Sequence, residues 1–349
     1  MGAIDADAHV IECEATFAHL EPEYRRFKPW ITVKKTEDVT IADNKGGQQK
    51  EFWVIDGRLQ PMEGNVGSNT SKESREMGNI AARLAHMDEL EIDVQVLYPT
   101  VFLRPWTADP VCEYALCKAY NRWLASIWRA APDRLRWCVM PPLLSMDKTE
   151  EEMRFAKDNG AVGVFLRGLE LDKQFSDSRF FRLYELGEEL DLPMCIHSGN
   201  GSFASYNVYG NEGALGRGRL QVVAAFHSLL LGGIPAKFPR LRWGFVEASA
   251  EWIPFALNDL ELRYKRRGKR MSRSIMADNN MFVACQVTDD LGRIVPMAGD
   301  GQLVVGTDYG HADNSAEIEA MRKLKDEGKV AAAIADRILN DNARALYGL

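Results

Sequence analysis

Cysteine never occurs as a CxxC pair in this chain; Cys13, Cys112, Cys117, Cys138, Cys195 and Cys285 are scattered, several of them inside apolar runs. Free thiols packed as small hydrophobes are a cytosolic pattern. No run approaches the roughly 20 apolar residues that a bilayer-spanning helix requires. The first residues lack the basic-then-apolar plan of a secretory signal, and Ala6 stands where N-myristoylation needs Ser or Thr. The expectation is a cytoplasmic protein with no membrane partner. Positive charge is also short: 43 Lys and Arg against 50 Asp and Glu leave a formal charge of −7. Nucleic-acid affinity rests on phosphate neutralisation by a basic face, so no nucleic-acid partner is expected. The local basic run from Arg263 to Arg273 reads as a solvated helix end. No Gly-rich phosphate cradle opens a helix, and Gly232-Gly233 before Ile234-Pro235 reads as a helix stop.

What is present is ordinary globular material, 46% hydrophobic and 27% charged. Eight short apolar runs bounded by turn residues recur: Ala3 to Val10, Val94 to Thr100, Leu135 to Pro142, Ala161 to Gly168, Pro193 to Gly199, Arg242 to Ser249, Met281 to Val287 and Gln302 to Asp308. Stretches of helical period fall near 73–91, 110–132, 148–158, 178–190, 213–231, 250–267, 314–325 and 328–346. Eight strands alternating with helices fit a closed (β/α)8 TIM barrel better than an open doubly wound sheet of about five or six strands. A single barrel domain over 1–349 is expected, because such barrels run to this length with insertions. Residues 12–71 break the rhythm, with hairpin-like Trp30 to Lys35 and Gln49 to Ile55 around Asn44-Lys45-Gly46-Gly47. Following the first strand, this insertion would lie at the barrel mouth as a lid, with the Gly64 to Ser74 segment as a mobile flap.

In a parallel barrel the working side chains come from the C-terminal ends of strands. Asp5, Asp7 and His9 alternate through the first run, His197 ends the fifth, Glu247 the sixth and Asp308 the eighth. Residues at i and i+2 of a strand point the same way, so Asp7 and His9 can share one ion. Asp7, His9, His197 and Asp308 thus make two imidazoles and two carboxylates, a donor set suited to one catalytic divalent metal ion, Zn or Mn. Glu247 has three possible roles: an added oxygen ligand favouring a harder ion such as Mn²⁺, a general acid or base, or a structural partner of an arginine such as Arg167. Asp308 can serve both as ligand and as proton carrier, and His311, three residues on, can orient it or meet the substrate.

Ile4-Asp5-Ala6-Asp7-Ala8-His9, Ile196-His197, Lys237-Phe238-Pro239-Arg240-Leu241, Gly306-Thr307-Asp308-Tyr309-Gly310-His311 and the closing Asn342-Ala343-Arg344-Ala345-Leu346-Tyr347-Gly348 run in order through nearly the whole chain. Together they resemble the amidohydrolase-related proteins of the aminocarboxymuconate-semialdehyde decarboxylase group. The resemblance implies a metal-dependent barrel enzyme from a family of non-oxidative decarboxylases, hydrolases of amide and carbon–carbon bonds, and hydratases. It places Asp7, His9, His197 and Asp308 at the family's ligand positions. The chain departs from the family's decarboxylases at the end of strand six, where Glu247 stands in place of their usual histidine.

The expected substrate is a small carboxylate-bearing molecule, with decarboxylation of an aromatic or unsaturated acid as the leading reaction and hydrolysis by metal-activated water as its rival. Arg167 at the end of the fourth run is the candidate carboxylate clamp, because guanidinium matches carboxylate with two parallel hydrogen bonds. Tyr98, Phe102, Trp106 and Trp53 would wall the pocket against a flat ligand. His19, His86 and His227 read as structural, and a homodimer is expected.

Overall fold

The computed structural model describes residues 2–35, 49–62, 66–209, 215–312 and 314–349. Its strands are β1 (Ala3–His9), β2 (Trp30–Lys35), β3 (Gln49–Ile55), β4 (Arg58–Pro61), β5 (Ile92–Tyr98), β6 (Leu135–Val139), β7 (Ala161–Arg167), β8 (Met194–His197), β9 (Trp243–Val246), β10 (Met281–Cys285) and β11 (Leu303–Val305). All eight expected apolar runs are strands, and they form one parallel sheet in the order β1-β5-β6-β7-β8-β9-β10-β11. The chain beyond β11 returns to β1: the backbone N–H of His9 donates to Tyr309 at 3.0 Å and that of Asp308 to Asp7 at 2.9 Å. The architecture is therefore the expected (β/α)8 barrel. Every residue of β1, β8, β9, β10 and β11 is buried, because helices cover the outer face while side chains fill the interior. No helix of the described residues is long and apolar enough to cross a membrane.

Local chemistry sets several helix boundaries. Asp109 accepts from the backbone N–H of Val111 and Cys112 to open Pro110–Ala130, with proline in the first turn where its missing N–H is harmless. Asn79 opens Ile80–Glu89 in the same way. The expected 73–91 helix is divided into Lys72–Arg75 and Ile80–Glu89 by Met77, whose φ is 57°. The 314–325 helix begins only at Ala320, and the closing one is Ala332–Asp336, a π turn over Arg337–Asp341, then Asn342–Tyr347. Leu291–Ala298, between β10 and β11, was not among the expected helices. Its eight residues hold Pro296 and end at Gly299, which makes the segment look like a turn, yet Asp290 caps it and Leu291, Ile294 and Val295 bury its inner face.

Within the insertion, β2 pairs antiparallel with β3 from Trp30 opposite Val54 to Lys35 opposite Gln49, and β4 adds a third strand. The expected hairpin is present; its Asn44-Lys45-Gly46-Gly47 turn and residues 64 and 65 of the expected flap lie outside the described residues.

The seam between β11 and β1 is tight at Gly306, where a Cβ would stand 2.3 Å from Asp7 Cβ and 2.9 Å from Asp7 N. Both obstacles belong to a strand and cannot swing aside. Gly306→Ala should therefore destabilise the fold by about 1–3 kcal/mol, the usual cost of overpacking, read as a lower urea midpoint; an unchanged midpoint contradicts the packing. A second prediction concerns Glu113, buried at the start of Pro110–Ala130 with one oxygen accepting from Leu144 N–H at 2.6 Å. Burial pushes its carboxyl up to about 7, although that bond and the Arg167 charge pull the other way. A raised pKa means the folded state holds the proton more tightly than the unfolded chain, so this stability is present at low pH and lost as pH rises through 7. Glu113→Gln, which keeps an acceptor without the charge, should lose less stability between pH 5 and 8 than the wild type; equal slopes in urea unfolding contradict it.

Candidate metal centre

The register of β1 against β5 slips between Asp5, opposite Gln95, and Ala8, opposite Leu97. The extra residue bends β1 and re-aims its last side chains. Asp7 and His9 meet inside the barrel mouth, His9 Nε2 lying 3.4 Å from Asp7 Oδ1. His197, the last residue of β8, brings its Nε2 to 3.2 Å from both Asp7 Oδ1 and His9 Nε2. Glu247 directly follows β9, and Oε2 lies 3.2 Å from His197 Nε2 and 3.8 Å from His9 Nε2. Asp308 Oδ1 approaches His9 Nε2 to 3.4 Å. Glu247 and Asp308 both adopt left-handed backbone, with φ of 57° and 52°. For residues bearing a Cβ this conformation costs about 1–2 kcal/mol each, and it recurs where a structure holds functional groups in place.

The outer nitrogens of the two imidazoles face backbone carbonyls: His9 Nδ1 lies 2.9 Å from Pro99 O, and His197 Nδ1 lies 2.8 Å from Ser198 O. A carbonyl only accepts, so each Nδ1 carries a hydrogen, and in a neutral ring the Nε2 lone pair turns inward. Two inward lone pairs 3.2 Å apart repel unless something positive lies between them. Ligands at about 2.0–2.1 Å from a tetrahedral ion are themselves about 3.3–3.4 Å apart; the contacts among Asp7, His9 and His197 span 3.2–3.4 Å. Two overlapping sets have ligand atoms within 4.8 Å of one another, Asp7, His9, His197 and Glu247, and His9, Glu247, Asp308 and His311. All six residues are buried. Donor chemistry, tautomer and spacing thus fit a divalent ion, with Glu247 inside the cluster rather than behind it.

The same proximity distorts the titrations. Burial works to discharge His197, but Glu247 and Asp7 outweigh it and push the ring up to about 9. At His9, burial acts together with the His311 and His197 charges and pulls the ring down to about 3. Burial would raise Asp7, yet the His197 and His9 imidazoles hold its carboxyl well below the usual carboxylate range.

His311 stands against Asp308, its Nδ1 2.6 Å from Asp308 Oδ1. Its Nε2 lies 2.9 Å from Thr100 Oγ1, which donates to Val10 O at 2.8 Å. With its hydrogen committed there, Thr100 can only accept from His311, so Nε2 carries a hydrogen. A neutral ring would then set the Nδ1 lone pair against Asp308. The contact is favourable only with a further proton on this pair, on the ring or on the carboxyl.

Beneath these groups is a buried polar network that sequence reasoning did not identify. Asp5 accepts from Thr307 N at 2.9 Å, Thr307 Oγ1 at 2.6 Å and Gln95 Nε2 at 2.9 Å, joining β1, β5 and the chain after β11. Burial pushes its carboxyl up to about 6 against those bonds. Gln95 Oε1 accepts from Arg83 Nε at 2.6 Å, while Arg83 Nη1 and Nη2 both reach the His9 carbonyl at 3.2 Å. The guanidinium also lies over the Tyr309 ring, 3.5 Å from its centroid. The available signal was that Arg83 shares a helix face with the buried Met87 four residues on.

Arg167 is held within the protein: its Nε and Nη2 grip Glu170 at 2.8 and 2.6 Å, and Nη1 donates to Arg104 O at 2.9 Å, so its carboxylate partner is Glu170 and not Glu247. Tyr98 is a floor beneath the imidazoles rather than a wall: its ring lies 5.1 Å from His197, and its hydroxyl meets Tyr347 Oη at 2.8 Å. Trp106 packs edge-on to Phe102 at 5.0 Å, and Trp53 does the same to Phe17 at 5.0 Å, both buried as core. His86 and His227 are apart from the cluster, paired with Tyr309 Oη and Asp259 at 2.8 Å each.

A family model for amidohydrolases matches residues 4–349. Among solved structures, an amidohydrolase from Mycobacterium avium subsp. paratuberculosis K-10 aligns over 99% of both chains at 18% identity and a TM-score of 0.78. A 5-carboxyvanillate decarboxylase from Novosphingobium aromaticivorans, holding manganese and 3-methoxy-4-hydroxy-5-nitrobenzoic acid, aligns over 76% of this chain and 80% of its own at 19% identity and a TM-score of 0.66. The 4-oxalomesaconate hydratase of Rhodopseudomonas palustris aligns over 99% of this chain and 95% of its own at 15% identity and a TM-score of 0.64. At these identities the structural likeness is one of fold, and it is the family model, spanning nearly every residue, that assigns kinship: the chain belongs to the amidohydrolase family of enzymes.

Proposed function

We propose that this protein is a metal-dependent non-oxidative decarboxylase of a small aromatic or unsaturated carboxylic acid. Asp7, His9, His197 and Asp308 would hold one Mn²⁺ or Zn²⁺ ion, with Glu247 as an additional oxygen ligand. When bound, such an ion supplies Lewis-acid polarisation of substrate oxygens and neutralises the carboxylates around it. The decarboxylase and the hydratase of similar fold are named for 5-carboxyvanillate and 4-oxalomesaconate, both small carboxylates, which supports the same class here.

The observation that carries the proposal is the close approach of Asp308 and His311, 2.6 Å apart at the edge of the donor cluster, a contact that is favourable only with a proton on the pair. In decarboxylation the carbon bearing the carboxylate must gain a proton. The bond to the carboxyl carbon then breaks, its electron pair stays on the protonated carbon, and CO₂ leaves. Asp308 would deliver that proton, with His311 and Thr100 fixing its orientation. Burial of the pair excludes bulk water, so the proton goes to substrate rather than solvent.

Hydrolysis of an amide, ester or carbon–carbon bond is the second reading, and Glu247 favours it. A carboxylate 3.2 Å from His197 Nε2, where the related decarboxylases usually carry histidine, suits removal of a proton from water. The two are separated by incubating Mn²⁺- or Zn²⁺-reconstituted protein with panels of hydroxybenzoates and acyl amides. CO₂ release supports the proposal; amine release without CO₂ contradicts it. His311→Asn should lower kcat for CO₂ release by about 10²–10⁴, the usual worth of positioned proton transfer, while changing KM little; an unchanged kcat removes the Asp308–His311 pair from the mechanism.

A further inference from the structure

Glu12 is a buried carboxylate for which the chemistry above has no use. It lies three residues past His9, where the chain leaves β1, and among the described residues no basic side chain pairs with it. Both of its oxygens accept from backbone N–H groups at the exit of β5: Oε1 from Thr100 at 3.1 Å, and Oε2 from Thr100 at 3.3 Å and Val101 at 2.9 Å. Burial pushes its carboxyl up to about 7 against the pull of those bonds. Taking a carboxylate out of water without a countercharge is costly. Neutral groups already tie the two strand exits together: Val10 N–H donates to Tyr98 O at 3.1 Å, and Thr100 Oγ1 donates to Val10 O at 2.8 Å. A buried charge is not needed for that purpose.

The peptide that Glu12 grips gives the charge a use. The Thr100 N–H and the Pro99 carbonyl are opposite ends of one planar amide. On one side Glu12 accepts from the N–H; on the other, Pro99 O accepts from His9 Nδ1 at 2.9 Å. Linked hydrogen bonds polarise one another, so a carboxylate on the N–H makes the carbonyl oxygen a stronger acceptor. A stronger acceptor on Nδ1 in turn makes Nε2 a better metal ligand. His197 supplies a comparison within the same site. Its Nδ1 faces Ser198 O at 2.8 Å, and among the described residues no carboxylate accepts from the Gly199 N–H at the far end of that peptide. Thr100 also has a second arm, its Oγ1 lying 2.9 Å from His311 Nε2. One residue thus joins Glu12 to both His9 and His311.

We propose that Glu12 is a positioning residue of the metal centre, its carboxylate acting on His9 through the Pro99–Thr100 peptide and on His311 through the Thr100 side chain. The inference rests on the reading that His9 and its neighbours hold a divalent ion, and it applies equally to decarboxylation and to hydrolysis.

The test compares wild type, Glu12→Gln and Glu12→Asp as full chains at pH 8. Mn²⁺ dissociation constants are measured by calorimetry in competition with a chelator. The Nδ1–H resonances of His9 and His197 are followed by NMR of Zn²⁺-loaded, ¹⁵N-histidine-labelled protein. Glu12→Gln, which removes the charge and replaces one acceptor oxygen by an NH₂ donor, should weaken Mn²⁺ binding by about 10- to 100-fold, the usual worth of a group supporting a ligand from behind. Its His9 Nδ1–H resonance should move upfield, toward a weaker hydrogen bond, while that of His197 stays in place. A lowered urea midpoint with Mn²⁺ affinity and the His9 resonance both unchanged makes Glu12 a structural tie and overturns the proposal. Equal upfield movement of both resonances overturns it too, because that is a general loosening of the site. Should Glu12→Gln not fold, Glu12→Asp carries the test: it keeps the charge on a shorter arm, so both effects should persist at smaller size, and wild-type values in it overturn the proposal. A wild type that binds no Mn²⁺ sinks the metal reading and the proposal with it; wild-type binding that Glu12→Gln leaves intact overturns the proposal alone.

Discussion

Three carboxylates and three imidazoles share one buried pocket at the mouth of this barrel, and the structure around them depends on how their charges are balanced. Asp7, Glu247 and Asp308 are all buried, and each lies within 4 Å of His9 Nε2. Carboxylates taken out of water need a positive partner. Protons can supply part of it, as the raised His197 shows. A divalent cation supplies it more completely, and because each Nδ1 faces a carbonyl, it is the Nε2 atoms of His9 and His197 that turn toward it.

The barrel makes this gathering possible because it closes. Only when the chain after β11 lies against β1 do Asp308 and Asp7, 301 positions apart in number, become hydrogen-bonded neighbours through their backbones. Asp5 stitches that seam from within, and Arg83 holds the His9 carbonyl from behind. The bulge in β1 and the left-handed backbone at Glu247 and Asp308 then aim the side chains. Stability is traded locally for position, as is usual where a scaffold holds reactive groups.

The barrel itself was legible because periodicity survives tertiary context: continuous apolar runs such as Ala161–Arg167 can be covered only on both faces. The cluster was legible for a related reason, since metal-capable residues at strand ends converge once the sheet closes. Partnership was not. Nothing in the spacing of Arg167 shows that Glu170, three residues on, would take its guanidinium, and nothing in the apolar neighbours of Tyr98 separates a floor from a wall. Arg83 was missed because a lone arginine in a helical period reads as surface, and only the fold reveals that it points inward. Leu291–Ala298 was missed because Pro296 and Gly299 carry the local signals of a turn, while burial of its inner face decides otherwise.

Convergence of these side chains on one cation is most directly tested by anomalous X-ray diffraction from crystals grown with Mn²⁺. The account predicts a single strong anomalous peak within coordination distance of His9 Nε2 and His197 Nε2, with Asp7 and at least one of Glu247 and Asp308 completing the ligand set. A barrel mouth with no such peak, or a peak bound elsewhere while these groups keep only hydrogen bonds to one another, would contradict it.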